Sequence, residues 1–141
     1  MRLSSLSAGT ISEGGELTVV AHSFATVRAL KVAEKLAAEK GVSLEVVDLR
    51  SLRPLDVETV AKSVAKTNRV LCVEEGWPSY GVTAEIAARI QYACFDDLDA
   101  PVERIGMAEV PLPYAKELEL AAMPTEDRIE RAALRILDLA G

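Results

Sequence analysis

Four short β-prone runs alternate along this chain with stretches of helical periodicity: residues 17–21, 44–49, 69–74 and 102–105. In the first three the apolar residues are nearly continuous and do not alternate with polar ones, the pattern of strands covered on both faces. Such strands belong to a parallel sheet whose crossover helices lie above and below it. The sequence therefore predicts an α/β fold, a three-layer sandwich with a mainly parallel sheet flanked by helices. The strand that starts near Leu17 is expected at the centre of the sheet or beside it.

The helices announce themselves by caps and periodicity. Ser23 stands where it can cap the first helix, along which Val27, Leu30, Ala33 and Ala37 recur at helical spacing. Lys35 and Lys40 complement its dipole, and Gly41 supplies a left-handed stop. Residues 50–54 connect onward, with Pro54 holding Arg53 extended. Asp56 caps a second helix that reaches about Lys66. Residues 76–81, Gly-Trp-Pro-Ser-Tyr-Gly, form a turn-rich loop. The helix behind it turns Ile86 and Ile90 inward and pairs Glu85 with Arg89 outward. Val110-Pro111-Leu112-Pro113 reads as extended and irregular, because two prolines remove backbone donors. Thr125 caps the last helix, whose apolar stripe is Ile129, Ala133, Ile136, Leu137 and Ala140. Residues 1–11 are expected as a disordered start or a remnant foreign to the domain, and residues 12–141 as a single domain.

Composition removes several function classes. The formal net charge of −6 disfavours a phosphate backbone as partner, so no nucleic acid is expected. No stretch reaches the ~18 apolar residues of a membrane span. Cys72 and Cys94 form no C-x-x-C pair, and Cys72 lies in an apolar strand, which speaks against a disulfide framework and a zinc site.

Open α/β sheets bind ligands beyond the carboxyl ends of their strands. That rule selects His22 and Ser23, Asp48 and Arg50, and Glu74, Glu75 and Trp77. His22 and Ser23 are adjacent, so on an extended strand they point apart, and no G-x-S-x-G elbow accompanies them. Glu74 and Glu75 diverge in the same way and have no third oxygen ligand at regular spacing. Neither G-x-G-x-x-G nor G-x-x-x-x-G-K-[ST] occurs. No residue is assigned a catalytic, cofactor-binding or metal-binding role.

Five runs, in order, carry a resemblance: residues 44–56 (LEVVDLRSLRPLD), 66–78 (KTNRVLCVEEGWP), 81–90 (GVTAEIAARI), 98–104 (LDAPVER) and 110–115 (VPLPYA). Together they resemble the C-terminal, transketolase-type domain of the β subunit of thiamine-diphosphate-dependent 2-oxo acid dehydrogenases. The likeness covers about residues 12–138, and the VPLPYA stretch leans toward the pyruvate branch. Thr83 departs from a common glycine, and Met107-Ala108-Glu109 from a more usual Gly-x-Asp. The resemblance implies a non-catalytic assembly and docking domain in an enzyme that oxidatively decarboxylates a 2-oxo acid and passes the acyl group to lipoyl groups. Thiamine diphosphate and magnesium would be held elsewhere in that α2β2 assembly and none by this domain. Its partners would be a second β subunit, the α subunit and the subunit-binding domain of the lipoyl acyltransferase. Trp77 and Tyr80 are the expected subunit-interface residues. Asp96, Asp97, Asp99 and the carboxylate of Gly141 are the expected docking residues, with Asp99 foremost. The compartment would be the cytoplasm in a bacterium and the mitochondrial matrix in a eukaryote. A free-standing regulatory or small-ligand-binding α/β domain is the alternative, because fold alone does not fix function.

Overall fold

A computed structural model describes residues 7–53, 55–108 and 123–139. Pro54, Val110-Pro111-Leu112-Pro113, Ala140 and Gly141, all used above, lie outside the described residues. The strands are β1 (Gly9–Ser12), β2 (Leu17–Ala21), β3 (Leu44–Asp48), β4 (Val70–Val73) and β5 (Glu103–Ile105). Among the described residues the helices are α1 (Phe24–Lys40), α2 (Val57–Thr67), α3 (Val82–Ala93) and α4 (Glu126–Ile136), with a 3-10 turn at Phe95–Asp97.

The strands assemble in the order β1-β3-β2-β4-β5, which puts β2 at the centre. β2 is parallel to both neighbours, with Val19 opposite Val46 on one side and Leu71 on the other. β5 is parallel to β4, and β1 runs antiparallel to β3. Every residue of β2 and β4 is buried, as their continuous apolar sequences require.

β-strand alternation sends the side chains of β2 to two separate cores. Leu17, Val19 and Ala21 pack with Ala25, Ala29, Val32 and Leu36 of α1 and with Ile129 and Ala133 of α4. Val20, with Val47 and Cys72 of its neighbours, packs with Val60 and Val64 of α2 and Ile86 and Ile90 of α3. Among the described residues two helices therefore cover each face, giving the expected three layers.

Three details differ from expectation. Gly9–Ser12 is a strand, so residues 9–11 are ordered where a disordered or foreign start was expected. It is a short edge strand with a bulge and exposed central residues, so no apolar run marks it. Ser23 does not cap α1 through its side chain; its backbone holds a positive φ of 57°, and its carbonyl accepts from Thr26 N–H. The buried face of α1 is Ala25, Thr26, Ala29, Val32, Ala33 and Leu36, leaving Val27 and Ala37 outside. Small alanines let the helix approach the sheet closely, and this outweighs the larger side chains of the expected stripe.

The other caps behave as read. Asp56 accepts from Thr59 N–H at 3.0 Å, and also from Ala8 N–H at 3.1 Å, which ties the approach to β1 onto α2. Thr125 accepts from Arg128 N–H, and Gly41 ends α1 at φ 64°. Beneath α2 lies a buried polar cluster. Thr18 Oγ1 shares hydrogen bonds with Ser63 Oγ at 2.7 Å and Thr67 Oγ1 at 2.6 Å. Beside it the buried Glu45 carboxylate accepts from Lys66 Nζ and from Gly14 N–H at 3.3 Å.

Candidate interface surfaces at the two edges of the sheet

Parallel β2, β3 and β4 release their chains at one edge of the sheet. The chain passes from β2 to β3 on one side and returns to β4 on the other. α1 and α3, which follow the adjacent strands β2 and β4, cover opposite faces. The topological switch point therefore lies between β2 and β4, where such folds place a crevice. Ala21 pairs with Val73, so the residues just beyond, His22 and Glu74, emerge at the same level.

Glu74 is buried and is already spent. Its carboxylate accepts from Thr83 N–H at 3.3 Å and from the Thr83 hydroxyl. A Cβ added at Gly81 would collide with Trp77 O and lie 2.5 Å from Glu74 Oε1, so Gly81 is glycine because the Trp77 carbonyl and the Glu74 carboxylate fill the space a side chain would need. Loop 76–81 is pinned further by Gly81 N–H on Pro78 O, Met107 N–H on Gly76 O, and Arg104 Nη1 on Pro78 O at 2.6 Å. Asp48 serves its own turn, accepting from Arg50 N–H at 3.2 Å with the Arg50 guanidinium alongside. Ser23 and Arg50 are thus structural elements of their loops.

The pinned loop carries Trp77 47% exposed and Tyr80 fully exposed, the latter at φ 57°. Ser23 and Arg50 also hold positive φ, so each of the loops after β2, β3 and β4 contains one such non-glycine residue. Strained backbone of this kind persists where the surroundings impose it and clusters at functional sites. Phe24 and Val27 of α1 add exposed apolar surface to the same edge. Among the described residues, three buried polar atoms have no hydrogen-bond partner: His22 Nδ1, Glu75 Oε1 and Arg28 Nη1. His22 and Glu75 follow the two switch-point strands within two residues, and Arg28 lies in the second turn of α1. A folded chain rarely leaves such groups orphaned unless something else satisfies them. Arg28 and Phe24 were not singled out in the sequence, because the expected phase of α1 hid them.

The acidic residues lie elsewhere. α3 runs for 12 residues, about 18 Å at helical rise, from loop 76–81 to the opposite edge of the sheet. There Asp96 and Asp97 occupy the 3-10 turn and Asp99 the bend after it. Asp99 N–H donates to Asn68 O at 2.8 Å, and Asn68 Nδ2 to Asp97 O at 2.6 Å, fastening the backbone to the α2–β4 corner. The three side chains are exposed, and among the described residues none of them forms an ion pair. The structure thus separates Trp77 and Tyr80 from the aspartates. Gly141 lies outside the described residues.

Neither edge holds a metal constellation: among the described residues no group of three or more His, Cys, Asp or Glu side chains is placed to bind one. No described helix is long and apolar enough to cross a membrane. Both cysteines are free and buried, and burial pushes the Cys72 thiol up to about 12.

Residues 7–129 match the transketolase C-terminal domain family. The mitochondrial pyruvate dehydrogenase E1 component subunit beta-1 of Arabidopsis thaliana is 53% identical over 123 residues, covering 87% of this chain and 34% of that protein. The corresponding mitochondrial beta subunit of Saccharomyces cerevisiae is 44% identical over 128 residues, covering 90% and 35%. Among solved structures, a split-gene transketolase described as an inactive beta4 tetramer superposes with a TM-score of 0.78 at 27% identity, covering 99% of this chain and 44% of that one. The chain spans about a third of the length of the curated relatives it matches.

Proposed function

The chain belongs to the transketolase C-terminal domain family, and from that premise we propose that it is the non-catalytic C-terminal domain of a pyruvate dehydrogenase E1 β subunit. The similarity to pyruvate dehydrogenase beta subunits at about half identity supports the enzyme class. The distribution of chemistry over the fold carries the role: internal acids are consumed by internal donors, while Phe24, Trp77, Tyr80 and the orphaned polar atoms stand at the carboxyl edge. That edge joins the domain to the rest of the β subunit, to a second β subunit and to the α subunit in an α2β2 assembly. Trp77 and Tyr80 are its anchors, and His22, Arg28 and Glu75 take their hydrogen bonds across it. The acidic corner at the opposite edge docks the subunit-binding domain of the lipoyl acyltransferase, with Asp99 at its centre.

Thiamine diphosphate, which this enzyme class uses, does not fit the residues present. The natural cradle for a diphosphate at a switch point is a helix N-terminus with free amides. At α3 the Thr83 amide is taken by the Glu74 carboxylate, which would also repel a second anion. The cofactor and its magnesium therefore belong to other parts of the assembly, where the 2-oxo acid is decarboxylated and its acyl group passed to lipoyl groups. The domain alone is inactive. Its relatives are named as mitochondrial, so in a eukaryote it works in the matrix; in a bacterium it works in the cytoplasm.

Trp77→Ala tests the interface. Sedimentation of the chain with its partner subunits should show loss of assembly, while the melting temperature of the chain alone changes little. A lowered melting temperature with assembly intact would mean that Trp77 only packs on its own fold.

A further inference from the structure

Resting on the docking reading above, we propose that Tyr92 and Phe95 are the apolar anchors of the acidic corner, and that the partner docks there through arginine-bearing chain. Tyr92 is 91% exposed in the last turn of α3 and Phe95 is 70% exposed in the 3-10 turn that follows. Isolated exposed hydrophobic residues are ordinary. These two differ in their setting. Tyr92 borders an apolar depression of about 410 Å³ with Val57, Ala88 and Ala93. Phe95 borders a second depression, about 510 Å³, shared with Leu98, Asp99 and Pro101.

The platform under them is rigid. Cys94, between the two aromatics, is buried; its carbonyl accepts from Asp97 N–H at 2.9 Å and Leu98 N–H at 3.2 Å. With the two Asn68 hydrogen bonds, this fixes the backbone that presents Phe95 and Asp99. A preordered surface loses less conformational freedom on binding. Aromatic anchors with a charged rim are the anatomy of a protein interface.

Charge complementarity selects the occupant. Asp96, Asp97 and Asp99 are exposed around Phe95, and among the described residues the one cation lining the depressions, Arg89, is paired with Glu85 at 2.9 Å. A basic partner is required. Arginine fits better than lysine, because its planar guanidinium stacks on an aromatic face while pairing with a neighbouring carboxylate. The aromatics thus supply a salt-insensitive part of the affinity and the aspartates a salt-sensitive part.

The test is calorimetric titration of the full chain with the subunit-binding domain of the lipoyl acyltransferase at low and high salt, for Tyr92→Ser, Phe95→Ser and Asp99→Asn. Circular dichroism verifies folding, and sedimentation the oligomeric state. Each aromatic substitution should weaken binding roughly tenfold or more, by a similar factor at both salt concentrations, whereas the Asp99→Asn loss should shrink as salt rises. If Asp99→Asn weakens binding and the aromatic variants bind like the parent, the anchors are refuted while docking at this corner stands. If Asp99→Asn is also without effect, the docking reading itself falls. If the aromatic variants change the sedimentation of the chain and leave affinity intact, another copy or subunit covers Tyr92 and Phe95, and the proposal is overturned.

Discussion

Glu45 shows how a single charged residue can be fitted into this core. Burial alone would raise its carboxyl, but hydrogen bonds from Lys66, Ser63 and the Gly14 amide outweigh that, and the group is held below its ordinary value of 4.5. A carboxyl depressed in the folded state stabilises at every pH above the unfolded value and loses that contribution as pH falls through the folded one. Glu45→Gln keeps the shape and removes the charge. Urea unfolding near neutral pH should show the variant less stable by about 1–3 kcal/mol, the scale for a disrupted buried polar pair. The difference should shrink as the pH is lowered below about 4. A constant difference down to strong acid would show that the charge of Glu45 contributes nothing. Nothing in the local sequence signals this residue: Leu44-Glu45-Val46 reads as a strand with one polar member, and its partner Lys66 is on a helix 21 residues away. Asp56 was legible by contrast, because a cap acts on its immediate neighbours.

Among the elements, those marked by neighbouring residues alone were legible in the sequence. β2, β3 and β4 were visible because strands buried on both faces must be almost wholly apolar. β1 was missed because an edge strand needs no such run. The existence of α1 was plain, but its rotation was not: chain entry through Ser23 at φ 57° and the close approach of Ala25 and Ala29 to the sheet choose its buried face. The phase can be checked directly. Val27→Lys lies outside the core and should change stability of the chain by less than about 0.5 kcal/mol. Ala29→Leu forces volume into a filled contact and should cost about 1–3 kcal/mol. The reverse ordering in thermal unfolding would mean that α1 is turned the other way. The same error of phase concealed Arg28 and Phe24. Tyr92 and Phe95 were passed over for a related reason: at the end of a helical pattern the sequence does not say which apolar residues are left outside.

The whole molecule presents two surfaces on opposite edges of one sheet, with a filled interior between them. Trp77, Tyr80, Asp96, Asp97 and Asp99 were recognisable in the sequence as loop residues, since turn chemistry forces them out of the core. Their distance from each other became visible only when α3 was placed between them. A domain that satisfies its internal acids and exposes aromatics at both ends is suited to joining other parts, and it spans about a third of the relatives it matches. Such a part should be interchangeable with its counterpart in a pyruvate dehydrogenase. A chimera tests it most directly: residues 7–129, the family-matched span, replace the corresponding segment of the Arabidopsis thaliana beta-1 subunit, to which the chain is 53% identical. Co-expressed with its α subunit, the chimera should sediment at the same size as the parent assembly and oxidise pyruvate with thiamine diphosphate and magnesium at a rate within about tenfold, a barrier change of only ~1.4 kcal/mol. A chimera that folds, by circular dichroism, yet neither assembles nor turns over pyruvate would show that the chain is not the C-terminal domain of such a β subunit.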